Sequence, residues 1–451
     1  MSKKLNKVIG FIPQDDRPIS FSQPAMLAQM AGYTLLTPPA TSMGHKFTPG
    51  NPDKLALWLS ANFHKADGWV IALDMLLYGG LVASRELGEP DNKIVKRLEI
   101  LKQLKKASPD IFVSAFQSIR RLSITVQKSE DLKKWQEQHE QAGQDKNRQR
   151  NHKINMACLK EVEKGNLDLL LLLQEDARPK GPQIKEHKVL LTIIKEKKLG
   201  KKCLVTTGCD EGAAVLLARM ICAQTKKKTT VNVIYSDEEG AQRIALYEDR
   251  SIEESVLGQI NAVGAEVVSS PRQADFILMV WCPDREGRDL VFEHPVQENI
   301  QEIGIFAKEV SKYLGQKKKV VIADVSYANG ADPEMTKVLM EKIKVADLQG
   351  YAALNTAANT VGYALAQGLL ALDNKNFLFL RFLEDFVFQT SVRGQLNKYI
   401  RTELGGDIWN LKPRHVRLAE AYLEQKMPRR KLKYFLPWQR TFEIGIQGNV
   451  Q

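Results

Sequence analysis

The sequence predicts an α/β protein built on parallel strands: a (β/α)8-like barrel with a small inserted α/β subdomain and a helical C-terminal extension. Three observations predict it. Residues 167–173 read Leu-Asp-Leu-Leu-Leu-Leu-Leu, the near-continuous apolar pattern of a strand buried on both faces. Short apolar runs of this kind alternate along the chain with stretches of helical periodicity. With residues 229–283 set aside, eight runs remain, near residues 8, 33, 68, 111, 167, 202, 320 and 349, the number a closed barrel needs. Two doubly wound lobes around a cleft are the alternative use of the same strands.

The first strand, at 8–13, ends in Gln14-Asp15-Asp16-Arg17-Pro18. A short helix at 23–30 and a strand at 33–37 follow, then helical periodicity over 52–63. The third strand, at 69–73, closes on Asp74, and its loop continues Tyr78-Gly79-Gly80-Leu81-Val82-Ala83-Ser84-Arg85. Paired glycines allow close backbone approach to a ligand, and Arg85 suits an anion. An amphipathic helix at 93–106 leads to a strand at 111–116 and then Gln117-Ser118-Ile119-Arg120-Arg121. Residues 128–155 are polar and are expected as an exposed helical excursion, with disorder as the alternative. The strand at 167–173 delivers Glu175 and Asp176, and the strand at 203–207 delivers Asp210 and Glu211 after Gly208. A helix is expected at 213–222. Residues 229–283 alternate short strands and a helix and are expected as the inserted subdomain, within a main domain of 1–228 and 284–372. A strand at 320–325 ends in Ser326-Tyr327-Ala328-Asn329-Gly330-Ala331-Asp332. The last strand, at 349–354, ends in Asn355-Thr356 and runs through Asn359 into a helix, and 373–451 form the extension.

Composition narrows the function. Hydrophobic content of 43% and charged content of 26% fit a soluble globular chain. The net charge of +12 is spread over helix-like segments without interleaved aromatics, which argues against nucleic acid as a partner. Five cysteines without CxxC spacing fit reduced thiols, and the first strand begins too early for a signal peptide, so a cytoplasmic location is expected. No apolar run has transmembrane length.

Acids and amides recur where strands end, the edge at which parallel α/β sheets carry their ligand chemistry. On the barrel reading one rim gathers Asp15, Asp16, Arg17, Asp74, Arg85, Arg120, Glu175, Asp176, Asp210, Glu211, Asn329, Asp332, Asn355 and Asn359. Each acid alone could be a helix cap or a turn residue. Their recurrence at one end of parallel strands points to a site. Crowded carboxylates separate in pKa, as a general acid and its partner carboxylate require. Amides, arginines and aspartates together suit a polyhydroxylated ligand. The sequence has no GxGxxG after a strand, no phosphate-binding lysine loop, no GxSxG and no HExxH.

Taken together, Asp15-Asp16-Arg17-Pro18, Leu73-Asp74, Gly79-Gly80-Leu81-Val82-Ala83-Ser84-Arg85, Gly208-Cys209-Asp210-Glu211, Asn329-Gly330-Ala331-Asp332 and Asn355-Thr356 with Asn359 and Gly362 resemble a bacterial family known as domain of unknown function 4127. The resemblance covers residues 8–372 and groups these positions, and it names no reaction. The family often has Gly-Trp before Asn-Thr. Ala353-Leu354 stands there instead, so a substrate contact from that Trp would be missing.

The expected function is a carbohydrate-active, glycosidase-like hydrolase. Its catalytic acids would be one of Glu175 and Asp176 with one of Asp210 and Glu211; Asp15, Asp16, Arg17, Asp74, Arg85, Arg120, Asn329, Asp332, Asn355 and Asn359 would bind substrate. No cofactor is expected; a divalent cation held by Asp15, Asp16, Asp74 and Asp210 is the alternative. A non-catalytic sugar- or metabolite-binding or sensor protein is the second reading. The partner is a small sugar-like molecule, with a homo-oligomer through the C-terminal region as a further expectation.

Overall fold

Six apolar runs of the N-terminal half become strands β1 (Val8–Ile12), β2 (Thr34–Leu36), β3 (Gly68–Ala72), β4 (Phe112–Ile119), β5 (Leu169–Gln174) and β6 (Cys203–Thr207) in a computed structural model of the chain. The structure describes residues 7–86, 88–140, 145–224, 228–296, 299–370, 375–428 and 431–448. The six strands form one all-parallel sheet in the order β2-β1-β3-β4-β5-β6. Every residue of β3 and β5 is buried, as the unbroken apolar runs require. Burying each Leu of β5 is worth about 1.5–3 kcal/mol. These strands belong to one compact unit, Met1–Thr125 with Lys134–Ile221.

The second unit is Val126–Lys133 with Cys222–Gln451. Its strands are β7 (Thr230–Tyr235), β8 (Glu266–Val267), β9 (Phe276–Trp281), β10 (Arg288–Asp289), β11 (Val320–Asp324), β12 (Tyr327–Ala328) and β13 (Gly350–Ala352). Five of them form a parallel sheet ordered β13-β11-β9-β7-β8, and β10 pairs with β12. Counted within its own unit, this sheet has the order 2-1-3-4-5, the order with which the first sheet also begins. That is one of the two common doubly wound orders.

The eight expected strands therefore lie in two parallel sheets, not in one closed barrel. Residues 229–283 likewise do not stand apart: they give β7, β8 and β9 to the sheet that holds β11 and β13. The reason is visible in β9. All six residues of Phe-Ile-Leu-Met-Val-Trp are buried, and a strand so apolar needs a neighbour on each side, here β7 and β11.

The helix Ile252–Val263 starts at a capping box from Ser251 and Glu254, and it packs on the helix Ala357–Leu370, which lies on β11 and β13. Trp281, Phe306, Ile322 and Tyr351 share one apolar cluster with Leu378 and Phe382 of the C-terminal segment. That segment holds helices Lys375–Phe382, Arg393–Thr402 and Pro413–Lys426, a π-helix Leu383–Val392, and a hairpin of β14 (Lys433–Phe435) and β15 (Gly445–Gln447). It is thus part of the second unit's core, and it is not wholly helical. Of the polar stretch 128–155, residues 141–144 lie outside those described. Leu132–Glu140 is a helix with no buried residue, whereas Lys146–Glu163 buries Ile154, Cys158, Leu159 and Val162.

Candidate functional site

In the first sheet the chain leaves β1 for β2 on one side and then enters β3 on the other. Ligands of such sheets bind where connections diverge in this way, outside the C-terminal strand ends. Asp15 and Arg17 sit there, in the turn that follows β1. Both Asp15 oxygens accept from Arg17, the closest contact being 2.7 Å from Nη2. The same Nη2 donates to Oδ1 of Asp210 at 2.7 Å, and all three side chains are at least nine-tenths buried. One nitrogen thus holds two carboxylates 195 positions apart in sequence, Asp15 and Asp210. Gln14 reinforces the junction: its Nε2 lies 3.0 Å from Sγ of Cys209. In the sheet, β3, β4 and β5 lie between β1 and β6, yet the loops after β1 and β6 touch. The strand ends are gathered toward one point.

Asp74 lies beneath this junction at the start of the short helix Leu73–Tyr78 and is fully buried. Its carboxyl accepts from Gln14 Nε2 (3.2 Å), Gln117 Nε2 (3.0 Å), Ser118 N (3.1 Å) and Ser118 Oγ (2.8 Å). Burial outweighs these donors and pushes its pKa up to about 6. A carboxyl with a raised folded-state pKa is protonated in the fold while the unfolded chain has already ionised. Stability from this group is therefore full below about pH 4 and declines as pH rises to about 6, by about 3 kcal/mol for a shift of this size. Denaturation from pH 4 to 7, with Asp74→Asn as reference, should show wild type losing ground to the variant over that window. A difference that stays constant with pH would refute the assignment.

Glu175 and Asp176 follow β5. Glu175 pairs with Arg85, whose Nη1 also donates to Thr125 Oγ1 at 2.6 Å. Asp176 has φ of +36°, uncommon for a residue with a Cβ, and pairs with Arg121 at 2.9 Å. Glu211 turns back on its own loop, accepting from Cys209 N at 2.8 Å. Gly208 makes this possible: its φ is +105°, and a Cβ there would stand 2.1 Å from Glu211 Oε1. Two expectations change. Arg120 holds Asp145, the cap of helix Lys146–Glu163, at 2.6 and 2.7 Å. The paired glycines admit backbone: Gly79 O accepts from Gly50 N at 2.8 Å, and a Cβ on Gly79 would meet Gly50 O at 2.5 Å.

His45 is not among the residues expected from the sequence. Its Nδ1 lies 2.6 Å from Oδ2 of Asp16, with 54% of the His side chain and 26% of the Asp side chain exposed. A carboxylate that orients an imidazole makes a proton-transfer pair. The available signal was its place in a Gly44-His45 turn, off any apolar face. Gln14, Gln117 and Ser118 were also missed; a Gln-Ser pair inside the otherwise apolar end of β4 marks them.

Ten of the fourteen expected residues therefore share the strand-end edge of the first sheet. Asn329, Asp332, Asn355 and Asn359 belong to the second unit. Asp332 caps the helix Pro333–Lys342 through Glu334 N and Met335 N, both at 3.0 Å, and accepts from Trp281 Nε1 at 2.9 Å. Its backbone N–H donates to Asp324, whose pKa is pushed up to about 8 by burial and by the neighbouring Asp332 carboxylate. Asn329, at φ of +61°, donates to Asp289 at 2.9 Å, and its carbonyl accepts from Arg393 at 2.9 Å. The Asn355 carbonyl accepts from Asn329 N at 3.2 Å, and Asn359 is buried in the first turn of helix Ala357–Leu370. The cation alternative meets a physical obstacle at Asp15 and Asp210, since a guanidinium already holds both. No cluster of three or more His, Cys, Asp or Glu side chains suited to a metal occurs among the described residues. Nor is any helix among them long and apolar enough to cross a membrane.

Two parallel sheets, of six and five strands, define a mixed α/β protein with acids and amides at its strand ends. The sequence model of a protein family of unknown function (DUF4127) matches residues 9–144 and 141–447, and the chain belongs to that family. No curated protein matches it.

Proposed function

We propose that the strand ends of the first sheet form a hydrolytic site for a polyhydroxylated, sugar-like substrate. The observation that supports this reading is Arg17 drawing Asp15 and Asp210 onto one nitrogen. Each oxygen is 2.7 Å from that nitrogen, so the two are no further apart than twice that distance. Glycosidases that retain configuration set their carboxyl groups about 5–5.5 Å apart. In this reading one of Asp15 and Asp210 attacks the anomeric carbon, the other in its protonated form gives its proton to the departing glycosidic oxygen, and the exposed His45–Asp16 pair returns a proton from solvent to that acid. Glu175 and Glu211, also among the four acids expected to be catalytic, serve to anchor the site through Arg85 and Cys209 N.

The test is a screen of chromogenic glycosides and muropeptide-like sugars read by mass spectrometry. Turnover that falls in His45→Gln by about 10²–10⁴-fold is the expected result. Sugars that bind the protein and are returned uncleaved would replace this reading by a second one, a non-catalytic sugar-binding protein. That reading draws on the fact that Asp15, Asp74, Glu175 and Asp210 all already hold hydrogen-bond donors of the protein itself.

A further inference from the structure

The second sheet has its own point of divergence. From β7 the chain goes to β8 on one side, then to β9 on the other. Parallel sheets carry ligands outside the strand ends at such a point. The connections that leave β7, β9 and β11 line a pocket of about 10 Å³, the room of a single water-sized particle. Arg243 and Leu246 come from the first connection, Gly287 from the second, and Ser326 and Tyr327 from the third.

Arg243 is the one charged residue among those that line the pocket. Its Nε and Nη2 are shielded from solvent and donate no hydrogen bond to any described residue. Buried cationic donors in that condition are rare, because desolvation without a partner is costly. The third nitrogen, Nη1, faces the bare side of Gly287. The point where a Cβ would stand there lies 3.2 Å from Nη1 and 3.7 Å from the backbone N of Leu246. That N–H donates to no carbonyl of a described residue. Two donors thus converge on a side of the chain that a glycine keeps open. Burial first, and the charge of Arg285 second, weaken the hold of Arg243 on its proton, so a negative charge is favoured beside it.

We infer that this pocket holds a monatomic anion of the size and charge of chloride, on Arg243 and the Leu246 N–H. Chloride is little larger than a water molecule, whereas a carboxylate or phosphate group exceeds the space. A water satisfies donors but leaves the guanidinium charge unanswered. A cation is repelled by Arg243, and no carboxylate stands in the lining to hold one. Bound there, the anion ties the connection after β7 to the connection after β9. The site is separate from the carboxylates assigned to hydrolysis and does not depend on that reading.

The experiment uses the full chain. Melting is followed at constant ionic strength in sodium chloride, sodium bromide and sodium gluconate. Chloride and bromide raise the wild-type melting temperature above that in gluconate, because an anion that binds only the folded chain stabilises it. Arg243→Gln raises the half-saturating chloride concentration by about tenfold or more, as loss of a charge-assisted hydrogen bond requires. Gly287→Ala gives a similar loss with the guanidinium still in place, because its Cβ takes up the space between the two donors. It stands in for Arg243→Gln should that variant fail to fold. Crystals grown with bromide show an anomalous peak beside Arg243 Nη1. Equal melting in chloride and gluconate, a chloride effect unchanged in either variant, or a water alone beside Arg243 in the bromide crystals would overturn the proposal.

Discussion

Arg17→Met should lower the unfolding free energy by about 3–5 kcal/mol, the cost of stripping a buried ion pair of one partner. Here the cost falls on two carboxylates, since Asp15 and Asp210 both depend on that guanidinium and both have side chains under one-tenth exposed. Met fills similar volume, so the loss measures charge, not packing. Denaturant titration near neutral pH reads it directly. The triple variant Asp15→Asn, Arg17→Met, Asp210→Asn should recover much of the loss, because no uncompensated charge remains. If Arg17→Met alone proves nearly neutral, the carboxylates are not held as described.

Asp210→Asn should have its main effect on activity. On a substrate found by the screen, turnover should fall by about 10²–10⁴-fold or more, because an amide cannot act as base or nucleophile. Stability should fall by only about 1 kcal/mol: Arg17 keeps Asp15, and the Asn oxygen still accepts one hydrogen bond. The Arg17 and Asp210 variants therefore separate structure from chemistry, one melting early and the other folding but failing to turn over. Full turnover by Asp210→Asn would move the carboxylate role to Asp15 and Asp16.

Much of this could be seen in the sequence, and the exceptions have physical causes. The apolar runs of β3, β5, β9 and β11 gave the strands away because both faces of each are buried. Their partners stayed hidden, since an apolar run does not say which strand lies beside it. Thus eight units read as one barrel, and β7–β9 read as an insertion. The acids after β1, β3, β5 and β6 were recognisable by their position at strand ends. Their pairing was not: nothing in the spacing shows that Arg17 reaches Asp210 or that Arg85 takes Glu175. Asp332 resembled a ligand-binding residue and is a helix cap, two uses of one residue type that spacing alone does not separate. His45 escaped notice because its partner Asp16 is 29 positions away, in another loop.

The gathering of the first sheet's strand ends also bears on how the protein is made. Arg17 leaves the ribosome early, and Asp210 follows 193 residues later. Closing a loop of that length carries an entropic cost that grows only slowly with length, but it makes the contact strongly non-local and therefore slow to form. Until β6 docks, Arg17 can engage Asp15 alone, and the loop after β1 lacks its distant anchor. A chain truncated before residue 203 would contain β1–β5 and still be unable to assemble the paired carboxylates. Completion of the sheet and completion of the site are thus one event, and a probe of the Arg17 environment during refolding would report the arrival of the last strand.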